Sequence, residues 1–200
     1  MGTYNSGDYT KKIYDSGLEL FTSKTLRDVL SIKKESTFFG VVRRLLRREV
    51  LKKIERDKFY LANSKIDSFS IAGFLYSPSY ISFETALSFY GILSQFPYTV
   101  TSATTKKPKS KIFENVDYEY THITKKIFWG FEKKDNFLIA YPEKALLDQL
   151  YLVSKGLRSL HIDEIDVSNV NKSKFEDYLK GFPGFFKFRN LATMVREKFK

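Results

Sequence analysis

The sequence predicts an α+β protein of two domains: a small basic one over residues 1–63, and a mixed α/β one over residues 64–200 that ends in helices. Three observations carry that expectation. The first is uneven charge. The 200 residues hold 34 Lys+Arg and 23 Asp+Glu, a formal net charge of +11. Between Lys24 and Ala62 twelve basic side chains meet only five acids, so this stretch alone carries +7. The second is a local order of helix, turn, helix and hairpin in the same stretch. The third is the polar run Asn63 to Asp67, after which short alternating strands mix with helices and the charge becomes mild. A polar run between two patterned regions is where a domain boundary falls.

Taken in order, the first helix covers Tyr9 to Ser16 and ends at Gly17, a natural residue just past a helix. Thr22 or Ser23 can cap a second helix, Lys24 to Leu30, with Leu26, Val29 and Leu30 facing inward. Ser36 or Thr37 can cap a third, running to about Glu49. At the helical period Val41, Leu45, Phe38, Val42, Leu46 and Phe39 fall on one side of it. The opposite side holds Arg43, Ser36, Arg47, Gly40, Arg44, Thr37 and Arg48. Val50 to Glu55 reads as a strand, Arg56-Asp57-Lys58 as a turn, and Phe59 to Ala62 as the returning strand. Helix, turn, basic helix and basic-tipped hairpin in succession is the pattern of a winged helix-turn-helix.

Beyond the boundary, a helix from Asp67 to Tyr76 stops at Ser77-Pro78, because a residue before proline leaves the helical region. Ser82 is placed to cap a helix from Phe83 to Tyr90, ended by Gly91. Tyr98 to Thr104 alternates and is rich in β-branched residues, and so reads as a strand. Lys106 to Lys109 is a basic loop. Further strands are expected at 112–113, 117–123, 127–131 and 137–139. Pro142 opens a helix over 143–153, where proline and glutamate both suit the first turn. The tail carries helices near 173–179, closed by Gly181, and over 188–198.

Composition excludes several chemistries. The chain has no cysteine, hence no disulfide, thiolate metal site or cysteine nucleophile, and its two histidines, His122 and His161, nearly exclude a multi-histidine metal site. Neither a Gly-rich phosphate loop nor a GxSxG elbow occurs. Asp163, Glu164 and Asp166 cluster as a paired-carboxylate site would, and equally as a solvated helix end does. No catalytic residue, metal or cofactor is expected, and the protein is read as a non-enzyme. Nowhere do 18 apolar residues run together and the start has no apolar signal core, so a cytoplasmic location is expected. Met1-Gly2 with Ser6 formally fits a myristoylation signal, a pattern short enough to recur by accident. A net positive chain with 19 Phe, 13 Tyr and one Trp is a packed globule suited to a polyanion, nucleic acid ahead of an anionic membrane.

The candidate site follows from the charge. Arginine is the scarcer base, nine against 25 lysines, yet four of the nine lie between 43 and 48. No acid interrupts Ser36 to Arg48, whereas solvated helix faces normally interleave acids with bases. Guanidinium forks match phosphate and guanine edges. Thr37, Arg43, Arg44 and Arg47 are therefore candidates for base edges, with Ser36 and Arg48 beside them. Gly40 leaves room for a close approach of DNA. Lys52, Lys53, Arg56 and Lys58 are candidates for phosphates, and Asp57 is assigned to shaping the turn. Lys106, Lys107, Lys109 and Lys111 form a secondary basic group that could meet flanking DNA or a partner.

Four later runs are familiar as a set: SYISFETALS from Ser79 to Ser88, TVTSATTKK from Thr99 to Lys107, FWGF from Phe128 to Phe131, and EKALLD from Glu143 to Asp148. With the basic N-terminus, their succession resembles the AbiEi family of abortive-infection antitoxins, clearly from Phe21 to Val153 and loosely in the tail. The resemblance implies a bacterial DNA-binding autorepressor encoded beside a nucleotidyltransferase toxin, which its C-terminal domain neutralises, generally without a stable complex. Repressors commonly meet palindromes as dimers or bind adjacent half-sites cooperatively, so an inverted-repeat operator is expected. One departure is the wing tip, often glycine-containing in the family and Arg56-Asp57-Lys58 here. From the residues alone, EKALLD reads as the start of a helix over a core, and so as scaffold. Two other functions stay open: a nuclease-like subunit delivered by its basic helix, or an antitoxin that holds the toxin directly.

Overall fold

The computed structural model describes residues 6–95 and 97–199, and the Met1-Gly2 pair lies outside them. The chain divides into two units, one running to Ile66 and the other starting at Asp67.

In the first unit, α1 (Ser6–Asp15) is followed by a short strand β1 (Leu20–Thr22), α2 (Ser23–Leu30), α3 (Glu35–Arg47), β2 (Leu51–Glu55) and β3 (Lys58–Leu61). Thr22 caps α2, its hydroxyl oxygen accepting from the Thr25 amide at 3.0 Å. The three strands form an antiparallel sheet in the order β1-β3-β2. Ile13, Phe21, Leu26, Leu30, Phe38, Val41, Leu45, Leu51 and Phe59 are buried together as its core. Two expectations are corrected. Lys34, in extended conformation, occupies the cap position of α3, so Ser36 and Thr37 lie inside the first turn rather than before it. Glu35 thereby takes the first helical position, where its charge faces the positive helix end. Phe39, assigned to the buried side, is 46% exposed because it lies at the margin of the apolar arc.

The second unit opens with α4 (Ser68–Leu75), whose cap Asp67 accepts from the amides of Phe69 and Ser70. Then follow β4 (Ser79–Ile81), α5 (Phe83–Phe89), β5 (Thr99–Thr104), β6 (Lys109–Phe113), β7 (Val116–His122), β8 (Phe131–Lys134), β9 (Phe137–Ala140), α6 (Pro142–Ser154), α7 (Lys172–Lys180) and α8 (Phe186–Arg196). Six strands make one mixed sheet in the order β6-β7-β5-β4-β9-β8. The β5/β7 and β4/β9 pairs are parallel and the others antiparallel. The protein is thus a mixed α+β fold with, among the described residues, eight α-helices and two sheets.

Helix α6 is the spine of this unit. Every residue from Glu143 to Leu152 is buried, and α5, α7 and α8 pack against it. A helix covered on all sides belongs to a core, whatever its polar residues suggest.

The strand expected at 127–131 does not form. Lys125–Ile127 makes a single 3-10 turn, residues 128–130 are irregular, and β8 begins only at Phe131. The aromatic run is used for packing instead: Phe128 and Phe131 lie against the Tyr80 ring, and Trp129 meets Tyr178 and Phe182 edge-on. Lys109 stands in β6, not in the loop before it. Gly181 closes α7 without a left-handed backbone, at φ −78. Its missing side chain serves Trp129, whose indole would be 2.6 Å from a Cβ placed there.

Candidate nucleic-acid interface

Helix α3 is positioned by one face and displays the other. Phe38, Val41, Val42 and Leu45 are buried, which turns Ser36, Arg43, Arg44, Arg47 and Arg48 outward into solvent. Thr37 and Gly40 are half-buried at the margins. Arg44 lies back along the helix, its Nε 3.4 Å from the Gly40 carbonyl oxygen. The helix passes directly into the hairpin: Glu49 turns the chain at φ +53, and the Val50 amide donates to the Leu45 carbonyl at 3.0 Å. The arginine face and the basic hairpin therefore belong to one continuous element.

On the hairpin, Lys52 and Lys53 are both exposed, but successive strand residues point to opposite faces. Lys53 pairs with Phe59 and shares the side of Leu51 that packs on the helices, whereas Lys52 pairs with Tyr60 on the other side. The two lysines cannot serve one phosphate run equally. Arg56 stands at the tip with its side chain 95% exposed. Asp57 adopts φ +61, a left-handed conformation that Asp tolerates, so it does shape the turn. It also ties the tip to the start of α2, its carbonyl accepting from the Ser23 amide at 2.9 Å and its carboxylate from the Ser23 hydroxyl at 3.0 Å. Lys58 is occupied, donating to Glu55 at 2.6 Å across the turn.

The secondary basic group lies in the second unit and is largely employed there. Lys106 donates to the Ser77 carbonyl at 2.5 Å and Lys111 to the Leu75 carbonyl at 3.2 Å. Lys106 and Lys109 sit over the Tyr76 ring, and the Tyr76 hydroxyl donates to the Lys107 carbonyl. These ammonium groups gather at the carbonyl end of α4, where backbone acceptors lack helical partners and positive charge is favourable.

Sequence reasoning missed a second polar cluster. Lys144 and Asp148, both 0% exposed, form an ion pair inside the second unit. Lys144 also donates to the Tyr80 hydroxyl at 2.8 Å, and Tyr80 and Ser82 each donate to Asp148 at 2.9 Å. The Ser82 hydroxyl is thus spent on Asp148 and makes no cap bond to α5. Burial drives the Asp148 carboxyl above, and the Lys144 ammonium below, its ordinary range, while each partner's charge opposes that shift. The rings of Trp129, Phe182 and Tyr80 surround the ammonium at 5.0–5.4 Å. Gly130, at φ +74, lets the chain pass where a Cβ would lie 3.0 Å from the Lys144 side chain. The signal available in the sequence was the ring of apolar residues around α6, which leaves no solvent face for an i,i+4 ion pair.

All four runs that carry the resemblance meet here. Tyr80 and Ser82 come from the first and Lys144 and Asp148 from the last; Thr101 bonds the Ser82 carbonyl at 2.7 Å, and FWGF supplies the aromatic walls.

No family model matches the chain, and no curated protein matches it. Its structure is similar to the crystal structure of the RV2827C protein from Mycobacterium tuberculosis. The TM-score is 0.60 at 12% identity, over 96% of this chain and 77% of that one. At such identity the likeness is one of fold alone.

The remaining acidic candidates are held by structure. Asp163 and Glu164 lie in a 3-10 turn, and the Lys198 ammonium donates to the carbonyl oxygens of Asp163 within it and of Ile165 just after it. The Ser168 amide donates to Asp166, which holds that carboxyl below its usual range. His122 is exposed and shares a hydrogen bond with the Lys106 carbonyl, and His161 is exposed at the start of the 3-10 turn. Among the described residues no group of three or more His, Asp or Glu side chains is placed to hold a metal, and no helix is long and apolar enough to cross a membrane. What α3 offers is different: guanidinium forks on successive turns, about 6 Å apart along the axis, on an exposed face with no acid between Ser36 and Arg48.

Proposed function

We propose that the chain is a sequence-specific duplex-DNA-binding protein that represses transcription of its own operon, working by binding rather than catalysis. The observation that carries this reading is the exposed, acid-free arginine face of α3, joined without a break to a basic hairpin. In this reading α2, the turn at 31–34 and α3 form a helix-turn-helix, and β2–β3 is the wing. Helix α3 enters the major groove with Thr37, Arg43, Arg44 and Arg47 at base edges, while Lys53 and Arg56 hold the flanking backbone. Such a partner implies a cytoplasmic protein, and an inverted-repeat operator met by two copies.

The four runs at 79–88, 99–107, 128–131 and 143–148 extend the proposal to an AbiEi-type antitoxin acting against a nucleotidyltransferase toxin. They support membership through the interior of the second unit, since the residues they share build its buried cluster. The neutralising surface is therefore to be sought outside them, and direct contact with the toxin is not required.

Nuclease protection of the DNA upstream of the gene tests the reading. Wild-type protein is expected to protect a discrete site, and Arg44→Glu with Arg47→Glu to lose that protection while remaining folded. Protection that survives both charge reversals would remove α3 from the interface.

A further inference from the structure

The exposed face of α3 is not uniformly basic. Its later turns carry Arg43, Arg44, Arg47 and Arg48, whereas after the exposed Glu35 at its first position the earlier turns carry Ser36, Thr37 and Gly40, none larger than a threonine. Out of this low stretch rises one apolar side chain, Phe39, at 46% exposure. The helical period places it about 40° from Arg43 on one side, about 40° from the exposed Glu35 on the other, and about 60° from Ser36. Its ring is braced rather than loose. It lies edge-on to Phe38 with centroids 5.4 Å apart, and Phe38 is fully buried beneath the Arg27 guanidinium at 4.8 Å. Beside it, the position of a Cβ on Gly40 has no neighbouring atom within 4 Å, so the backbone there is open to a close approach.

A phenyl ring in this place can be covered by another protein or by DNA. A second copy of the chain meeting it face to face would set the four arginines of α3 against four others with only Glu35 of each copy as counter-charge, whereas a polyanion neutralises them all. The major groove offers one apolar feature on its base edges, the 5-methyl group of thymine, and aromatic side chains pack against it. The first turns of a groove-reading helix are also those that approach base edges. We propose that Phe39 reads a thymine methyl group, in a base pair next to one contacted by Arg43. The proposal rests on the duplex-DNA reading above and names a chemical feature that such DNA must display.

The test uses the full chain and duplex sites that it selects from a random-sequence library. The selected site is resynthesised with deoxyuridine in place of thymidine, one position at a time, which removes only the methyl group. Each duplex is titrated at one salt concentration with wild type, Phe39→Leu and Phe39→Ala. At one thymine per bound copy, deoxyuridine is expected to weaken wild-type binding by about fourfold, the scale of one buried methyl. Phe39→Ala is expected to bind both duplexes alike, at the wild-type level for deoxyuridine, and Phe39→Leu to keep part of the discrimination. The leucine variant carries the test if alanine disturbs the helix. A deoxyuridine penalty that persists in Phe39→Ala, or none anywhere in wild type, overturns the proposal. So does a change in the oligomeric state of unbound Phe39→Ala by sedimentation, which would assign the ring to a protein contact. Failure to select any duplex would instead remove the DNA reading itself, and this proposal with it.

Discussion

In the first unit the arginines of α3 stand in water above an apolar face, while in the second Lys144 and Asp148 lie wholly inside, bonded to each other and to Tyr80 and Ser82. The difference teaches what each charge is for. An exposed guanidinium keeps most of its hydration and makes few demands on the fold, so a cluster of them is available to a ligand. A buried ion pair has lost its water, and its attraction only repays that loss when every remaining donor and acceptor is matched. In the proposed reading the first kind of charge serves a partner, and the second specifies an interior. Substitutions should therefore separate cleanly, binding without stability in one unit and stability without binding in the other.

The sharpest way to break this division is to remove one member of the buried pair. Lys144→Ala or Asp148→Ala leaves an unpaired charge in the core and should destabilise the protein by about 3–5 kcal/mol, whereas an apolar replacement of both should recover most of that. Urea unfolding measures it. If Lys144→Ala stays folded with unaltered stability yet loses DNA affinity, the division is wrong. Next in size is Gly181→Ala. The new methyl group would meet the Trp129 ring at 2.6 Å, and overpacking of this kind costs about 1–3 kcal/mol. Its DNA affinity should not change in a gel-shift titration.

On the other side of the comparison, Lys53→Ala should weaken specific and non-specific DNA alike, and should flatten the salt dependence by about 0.9 in log–log slope if it removes one phosphate contact. Lys52→Ala, on the opposite face of the hairpin, should do less. Equal losses for the two lysines would show that the hairpin does not lie with its helix-facing side on the backbone. Neither change should move the melting temperature noticeably, as is usual for exposed positions.

The smallest effect concerns an ion pair between these extremes. Arg196 donates to Glu176 from α8 and holds its carboxyl below the usual 4.5. A carboxylate with a depressed folded-state pKa adds stability above 4.5 and loses it as the pH falls through the lowered value. Glu176→Gln should then melt lower than wild type at neutral pH by about 2 °C or less, since the pair is partly exposed. The gap should close in acid. A gap that widens on acidification would reverse the sign assigned to this group.

Much of the architecture was legible because it rests on local chemistry. Gly17 past α1, the Thr22 cap of α2 and Pro142 at the start of α6 act within one turn of their own positions. The arginine face was legible for the same reason, since periodicity alone separates it from Phe38, Val41 and Leu45. What escaped depends on distant partners. Strand β1 is three residues long and exists by pairing Leu20 and Phe21 with Tyr60 and Phe59. The aromatic run at 127–131 resembled a strand because nothing local shows that it wraps Lys144. Lys144 and Asp148 fell in a run that reads as a helix start over a core, but their pairing with Tyr80 and Ser82 depends on elements more than 60 residues away. Ser82 fitted a helix cap, yet its hydroxyl is bonded to a carboxylate 66 residues away. Phe39 sat at the margin of an arc, where periodicity cannot decide between core and solvent.

The central claim, that α3 and its hairpin meet the phosphates and base edges of duplex DNA, is tested most directly by the salt dependence of binding to the selected site. With about five phosphates neutralised per copy, the log–log slope of the binding constant against salt should be about −4 to −5 per bound copy. Arg44→Glu with Arg47→Glu should abolish the specific complex and leave only weak, non-specific association. A slope near zero in wild type, or a full slope and undiminished specificity in the doubly reversed protein, would contradict the account.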